Sequence, residues 1–175
     1  VTPLHMVKAM IPLVNDGNIM EPTFLKITKD TKLKAQKILK KSTVDKMQKM
    51  LRLTVLNGFG KKAAVKGYGV LGKSGTGEKA IPGGYSKTKQ LSSFIGAFPI
   101  SEPEYVVYVL LDEPKGNIKT QYFATGGWTA APVAGKIIEK IGPVLGVQPV
   151  NEELEDIAKD IFNDFTPERP IKVAY

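Results

Sequence analysis

There is no cysteine in these 175 residues, and only one histidine and one tryptophan. Without cysteine no disulfide can form, and a structural zinc has too few nitrogen and sulfur ligands to fill a tetrahedron. The single histidine, His5, confines any Ser-His-Asp arrangement to one position. No G-x-S-x-G elbow accompanies it, since Gly72-Lys73-Ser74-Gly75-Thr76 lacks the closing glycine. No run of about 18 apolar residues is present, so the sequence predicts no membrane-spanning helix. Acidic residues are in deficit, 17 against 25 Lys plus Arg, for a net charge of +8. The lysines are densest between Lys26 and Lys49, with few aromatic rings among them for bases to stack on. The excess therefore reads as a solvated face, and no nucleic-acid partner is expected. The remaining composition, 42% hydrophobic and 24% charged, suits one domain with a sizeable core or a piece of a larger one.

What is abundant is glycine, and it gathers in Gly67-Tyr68-Gly69-Val70-Leu71-Gly72-Lys73-Ser74-Gly75-Thr76-Gly77. This stretch satisfies three incompatible patterns. Gly67, Gly69 and Gly72 spell the dinucleotide fingerprint G-x-G-x-x-G, and residues 67–74 spell the ATP-type phosphate loop G-x-x-x-x-G-K-S. Both need a buried strand before the loop and a helix after it, whose free amides face phosphate. Residues 61–66 are too polar and short for such a strand, and Gly75, Gly77, Pro82, Gly83 and Gly84 forbid a helix starting at Ser74. Tyr68, Val70 and Leu71 read instead as a strand running into Lys73. That leaves the third pattern, K-[ST]-G-T on a strand.

Around it, Thr2 and Pro3 predict a helix start, with Leu4, Val7, Ile11 and Val14 on one face and Asn15-Asp16-Gly17 at the end. Pro12 falls inside this helix. Residues 19–41 read as short strand pieces and a lysine-rich connection. A second helix is expected over 42–57, opened by a capping box of Ser42 and Asp45, with Val44, Met47, Leu51 and Val55 buried. Residues 77–84 read as a turn and 85–90 as a polar stretch. Strands are then expected over 92–98 and 105–111, antiparallel because only six residues join them. The second is apolar enough to be covered on both faces. A helix after Trp128 would turn Val133, Ile137, Ile138 and Ile141 inward and end at Gly142-Pro143. These elements predict the α+β type of α/β fold, an antiparallel sheet layered with helices. Residues 150–175 form a separate unit: Asn151, Glu152 and Glu153 open an acidic amphipathic helix with Leu154, Ile157, Ile161 and Phe165 on one face.

The ordered blocks of residues 1–149 resemble the C-terminal half of the transpeptidase domain of class B penicillin-binding proteins, most closely the septal, cell-division one. The blocks are Val1-Thr2-Pro3-Leu4, Asn57-Gly58 with Gly60-Lys61-Lys62-Ala63-Ala64-Val65, and Gly69-Val70-Leu71-Gly72-Lys73-Ser74-Gly75-Thr76. They continue with Ser93-Phe94-Ile95-Gly96-Ala97-Phe98-Pro99, Leu111-Asp112-Glu113-Pro114, and Ala124-Thr125-Gly126-Gly127-Trp128-Thr129-Ala130-Ala131-Pro132-Val133. The resemblance implies part of the penicilloyl-serine transferase fold, no cofactor, and a periplasmic place at the inner membrane. It implies peptidoglycan stem peptides and β-lactams as ligands, the preceding half-domain as a partner, and contacts with division proteins. In the family Lys73 would supply positive charge to the cleft, Ser74 and Thr76 would bind the substrate carboxylate, and the Thr76 N–H would complete the oxyanion hole. Alternation independently puts Ser74 and Thr76 on one face, and Gly75 leaves room for a second backbone.

The catalytic serine is what this resemblance does not find. S-x-x-K occurs once, at Ser86-Lys87-Thr88-Lys89, in a stretch with no predicted helix to place lysine one turn behind serine. Thr43 with Lys46 stands at a helix start but has no serine, and no S-x-N occurs where the family needs it. The chain thus reads as a portion of a serine-type D,D-transpeptidase, inactive without its nucleophile. The alternatives are a catalytically dead interaction module and an ATP-binding protein. Domain swapping or dimerisation is the expected way to cover apolar faces such a portion exposes. Asp112-Glu113 reads as a solvated turn, not an acid/base or metal pair.

Overall fold

A computed structural model describes residues 1–28 and 34–149 of the protein. Helix α1 (Pro3–Val14) starts as the sequence predicts. Thr2 caps it by accepting the His5 N–H at 3.3 Å, and the His5 ring returns the contact, its Nδ1 accepting the Thr2 N–H at 3.3 Å. The one histidine is a capping residue. Pro12 lies inside the helix and is buried beside Met10, whereas Leu4 is exposed: α1 buries only its C-terminal half, so its inward face begins later than periodicity suggested.

Two short antiparallel strands follow, β1 (Asn18–Met20) and β2 (Ala35–Lys37). Helix α2 (Lys41–Leu56) buries Val44, Leu51 and Val55 with Met47 half-buried, matching the predicted stripe. Its start corrects the predicted capping box. The N-cap is Lys40, with no side-chain cap, and Asp45 pairs instead with Lys41, which also reaches Asp16 at 3.0 Å. These ion pairs occupy the carboxylate the box required.

The main sheet has the order β3 (Leu71–Ile81), β4 (Gly84–Phe98), β5 (Tyr105–Asp112), antiparallel throughout. The sequence placed a turn over 77–84. The chain instead keeps its ladder to Ile81↔Gly84, absorbs a register shift between Glu78 and Lys79, and turns tightly at Pro82-Gly83. Glycine weakens a strand but does not forbid it, and here the long partner β4 supplies the pairing. Tyr68 and Val70 are buried before the strand begins rather than inside it.

Strand alternation builds two cores. Phe94 and Phe98 with Val109 point to one face, where Val55, Tyr68 and helix α3 (Ala130–Val144) cover them. Leu71 and Ala97, with Ile95 and Val106, point to the other, against Met10 and Leu51. β5 therefore reaches both cores, yet it is an outer strand whose Leu110 is exposed, so the expectation of full cover holds only in part. Helix α3 also differs from its prediction. Ile138 and Ile141 pack inward as expected, but Val133 and Ile137 face solvent, and Ala130, Ala131 and Ala134 complete the inward face. Small residues let the helix lie close: a Cβ on Gly142 would stand 2.5 Å from the Tyr68 ring, so only glycine fits there, and the helix continues past Pro143 to Val144. No helix among the described residues is long and apolar enough to cross a membrane. The predicted acidic amphipathic helix of 150–175 lies outside the described residues.

Candidate active site

Lys73, Ser74, Gly75 and Thr76 lie on β3, paired through β4 with Ile95, Phe94, Ser93 and Ser92. Ser74 and Thr76 share the face that carries Phe94 and Ser92, as alternation required. Lys73 and Gly75 take the other. With a strand on both sides of Ser74, no helix N-terminus gathers amides there, and the phosphate-loop and dinucleotide readings fail with it. Among the described residues no strand pairs with the outer edge of β3.

This edge strand is anchored at three points. At its entry the buried Arg52 of α2 donates from Nη1 to the Val70 carbonyl at 2.7 Å, and the Thr54 hydroxyl donates to the Gly72 carbonyl. In its middle, the loop before α3 presses on it. The Gly126 N–H donates to Thr76 Oγ1 at 3.0 Å, while the Gly126 carbonyl accepts the Ala131 N–H at 2.8 Å. The Ser92 hydroxyl donates to the Ala124 carbonyl, holding the same loop to β4. A Cβ on Gly126 would lie 2.3 Å from both the Gly75 and Ser93 carbonyl oxygens, so the loop and the strand touch backbone to backbone. At its far end Lys79 reaches across β4 to Asp112 at 2.8 Å and Glu113 at 2.9 Å. Its hydrogen bonds to Asp112 and then Glu113 raise its pKa, and the Lys79 hydrogen bond lowers that of Glu113. The solvated turn, with Asp112 exposed, thus also supplies two members of an ion triad.

Three sequence expectations change in detail. The backbone that comes close at Gly75 belongs to Gly126, from the same chain, and meets the Gly75 carbonyl. A Cβ on Gly75 itself would meet only the Ser93 hydroxyl, at 2.7 Å, on the Lys73 face. The Thr76 hydroxyl already has a partner, but as acceptor, so its own hydrogen stays available to donate. Lys73 is exposed and donates to the Ser74 carbonyl at 2.8 Å. Ser86 sits on β4, and its Oγ accepts the Lys89 N–H at 3.1 Å. On a strand, serine and a lysine three residues on face opposite ways, so this S-x-x-K lacks the geometry of a dyad. Among the described residues no group of three or more His, Cys, Asp or Glu could hold a metal ion.

Arg52, Thr54, Ser92 and Gly126 were not singled out as functional in the sequence. Arg52 had the best signal, since it lies at the margin of the Leu51–Val55 stripe, but buried arginine is rare enough that periodicity alone assigns it to solvent.

Comparison with known proteins places the chain as a whole. The family described as penicillin binding protein transpeptidase domain matches residues 1–139. The probable peptidoglycan D,D-transpeptidase FtsI of Caulobacter vibrioides is 41% identical over 161 residues, covering 87% of this chain and 27% of that protein. Stage V sporulation protein D of Bacillus subtilis is 38% identical over 165 residues, covering 89% of this chain and 25% of that protein. The apo transpeptidase domain of Burkholderia pseudomallei penicillin-binding protein 3 superposes with a TM-score of 0.75 at 30% identity, covering 87% of this chain and 45% of that one. The chain thus spans about a quarter of the length of these curated relatives. With the K-S-G-T strand, its anchoring loop and the ordered blocks all in place, the chain belongs to the penicillin-binding-protein transpeptidase family.

Proposed function

We propose that residues 1–149 form one wall of the acylation cleft of a peptidoglycan D,D-transpeptidase that cross-links stem peptides during septal cell-wall synthesis, on the periplasmic side of the bacterial inner membrane. The observation that carries this reading is an edge strand, unpaired on its outer side among the described residues, whose Thr76 is held by Gly126. An extended peptide can add to such an edge as a further strand, with main-chain hydrogen bonds giving affinity and side chains giving selectivity. Thr76, already accepting from Gly126, has one hydroxyl hydrogen to offer a carboxylate. Ser74, on the same face, has another. The Thr76 N–H is assigned to the oxyanion, and Lys73 brings positive charge to the opposite face of the strand, where the attacking group would approach. Electrostatic stabilisation of this kind depends on donors held still before the reaction. The three anchors supply that stillness. The attacking serine lies in no S-x-x-K helix of this chain, so acyl transfer requires polypeptide beyond it, from the preceding half of the same domain.

Fluorescent penicillin tests the assignment. The full-length protein should be labelled covalently and the 175-residue chain should not. In the full-length protein Lys73→Ala should slow labelling by about 100-fold or more, the scale of removing one preorganised charge or donor. Labelling of the isolated chain at Ser86 would refute the need for an outside nucleophile, and unchanged labelling of Lys73→Ala would refute the role of that lysine.

A further inference from the structure

Beside α2, where Arg52 anchors β3, the helix and residues 61–66 enclose a groove. Its volume is about 280 Å³, and Arg52, Val55, Leu56, Lys61, Val65 and Lys66 line it. Its floor is apolar, with Val55 and Val65 continuous with the main core. Its rim is basic, since Lys61 and Lys66 are both exposed. A groove of this composition suits an amphipathic segment bearing acidic residues beside apolar ones.

The chain carries such a segment. We propose that residues 151–165 of this same chain occupy the groove, with Leu154, Ile157, Ile161 and Phe165 towards its floor. Two observations select this occupant. The first is charge. Residues 151–165 contain six acidic residues (Glu152, Glu153, Glu155, Asp156, Asp160 and Asp164) and one basic residue, Lys159, for a net charge of −5. The whole chain is +8, so the rest carries +13, and the segment is the main acidic block of a basic protein. The second is where the chain leaves α3. Gly142 packs against the ring of Tyr68, which stands two residues beyond Lys66, and Val147 belongs to the core cluster that includes Val55. From Val147 to Asn151 is four residues of chain, a reach of about 14 Å when extended. The link from the core to the segment is therefore short. Rim ion pairs are individually weak, so the apolar face anchors the segment and the lysines set its position. The proposal does not depend on the acyl-transfer role of β3.

Because the protein has no cysteine, paired cysteines give a clean test in the full chain. Ala64 is exposed in the groove lining, so Ala64→Cys is combined with Ile157→Cys, and separately with Ile161→Cys. Under mild oxidation at least one pair should form an intramolecular disulfide in most molecules, independent of protein concentration. Adding Lys61→Glu and Lys66→Glu should cut its yield by about fivefold to thirtyfold, and adding Asp160→Lys and Asp164→Lys to that background should restore it. No intramolecular disulfide from either pair would overturn the proposal, as would disulfide-linked dimers alone, which would give the groove to a second copy. A yield indifferent to the charge reversals would overturn the assignment of the lysine rim.

Discussion

The contact between Gly126 and the K-S-G-T strand can be broken by a single methyl group. Gly126→Ala places a Cβ 2.3 Å from the carbonyl oxygens of both Gly75 and Ser93, against about 3.4 Å for ordinary contact. Neither oxygen can turn away, because each belongs to backbone within the β3–β4 ladder. The loop must therefore retreat by about 1.1 Å, the difference between those distances. A retreat of that size along the 3.0 Å hydrogen bond from the Gly126 N–H to Thr76 Oγ1 would stretch it to about 4 Å, past any useful bond. The same movement pulls on the Gly126 carbonyl, which ties the loop to Ala131 at the start of α3. A donor left unsatisfied costs about 1–3 kcal/mol and overpacking a tight contact costs about as much again, so a loss of about 2–6 kcal/mol is expected. Denaturant unfolding of the full-length protein measures it. The kinetic consequence should be larger than stability alone would suggest, because displacing a positioned donor by about 1 Å can cost 100-fold in rate. Second-order acylation by fluorescent penicillin should therefore fall by one to two orders of magnitude in molecules that remain folded. Thr76→Val keeps the shape of the side chain and removes the acceptor, so it should reproduce part of the rate loss without the steric term. If Gly126→Ala melts and acylates like the parent protein, loop and strand are not in contact as described and the anchoring argument fails.

Gly75→Val in the full-length enzyme should leave the fold intact, since the new Cβ meets only a rotatable Ser93 hydroxyl, while acylation drops because the side chain intrudes on the Lys73 face; unaltered acylation would contradict this. Phe94→Ala removes a fully buried ring from the core under α3 and should cost about 3–5 kcal/mol in denaturant unfolding, with a loss under 1 kcal/mol counting against the packing described. Glu113 has a pKa depressed by Lys79, so its stabilising contribution is present above the ordinary carboxylate range and is lost as pH falls through its folded-state value. Lys79 is raised, so its own contribution holds below the ordinary lysine range and fades as pH rises through its folded value. Carboxyl NMR should show Glu113 titrating lower than in Lys79→Met, and identical titration in the two proteins would remove the triad.

Much of this was legible in the sequence because periodicity and glycine placement speak to local conformation. The Gly75, Gly77 and Gly83-Gly84 series excluded a helix after Ser74 and thereby both nucleotide motifs. The stripe Val44, Leu51 and Val55 placed α2, and Thr2-Pro3 placed α1. The errors share a cause, which is that tertiary partners overrule local signals. Residues 77–81 and 84–90 have poor strand propensity, yet each satisfies the other across the hairpin. Val133 and Ile137 are apolar residues of α3 left facing solvent, while its alanines turn inward beside Ile138, at positions where the helix lies close to its neighbours. The site was legible as a strand with Ser74 and Thr76 on one face. Its supports were not, because Arg52, Thr54, Ser92 and Gly126 act through contacts 18 to 50 residues distant in sequence, and no spacing rule reports those.

An unpaired edge is a hazard that most proteins blunt with bulges, charge or proline. β3 keeps its one register shift at Glu78/Lys79 and its ion triad at the hairpin end, away from residues 73–76. Among the described residues the portion beside the K-S-G-T run is left regular and unpaired on its outer edge. The same run is also the most heavily fastened part of the strand, by Thr54 on Gly72 and by Gly126 on Thr76. A strand left unpaired on its outer edge at residues 73–76 among the described residues, yet fastened at Gly72 and Thr76, is poorly explained by stability, since pairing that edge would gain more. It is well explained by a demand that another extended chain bind there in a fixed register. If so, the anchors belong to the chemistry as much as the strand does, and variants that loosen them should resemble variants of Lys73 in rate while differing from them in stability.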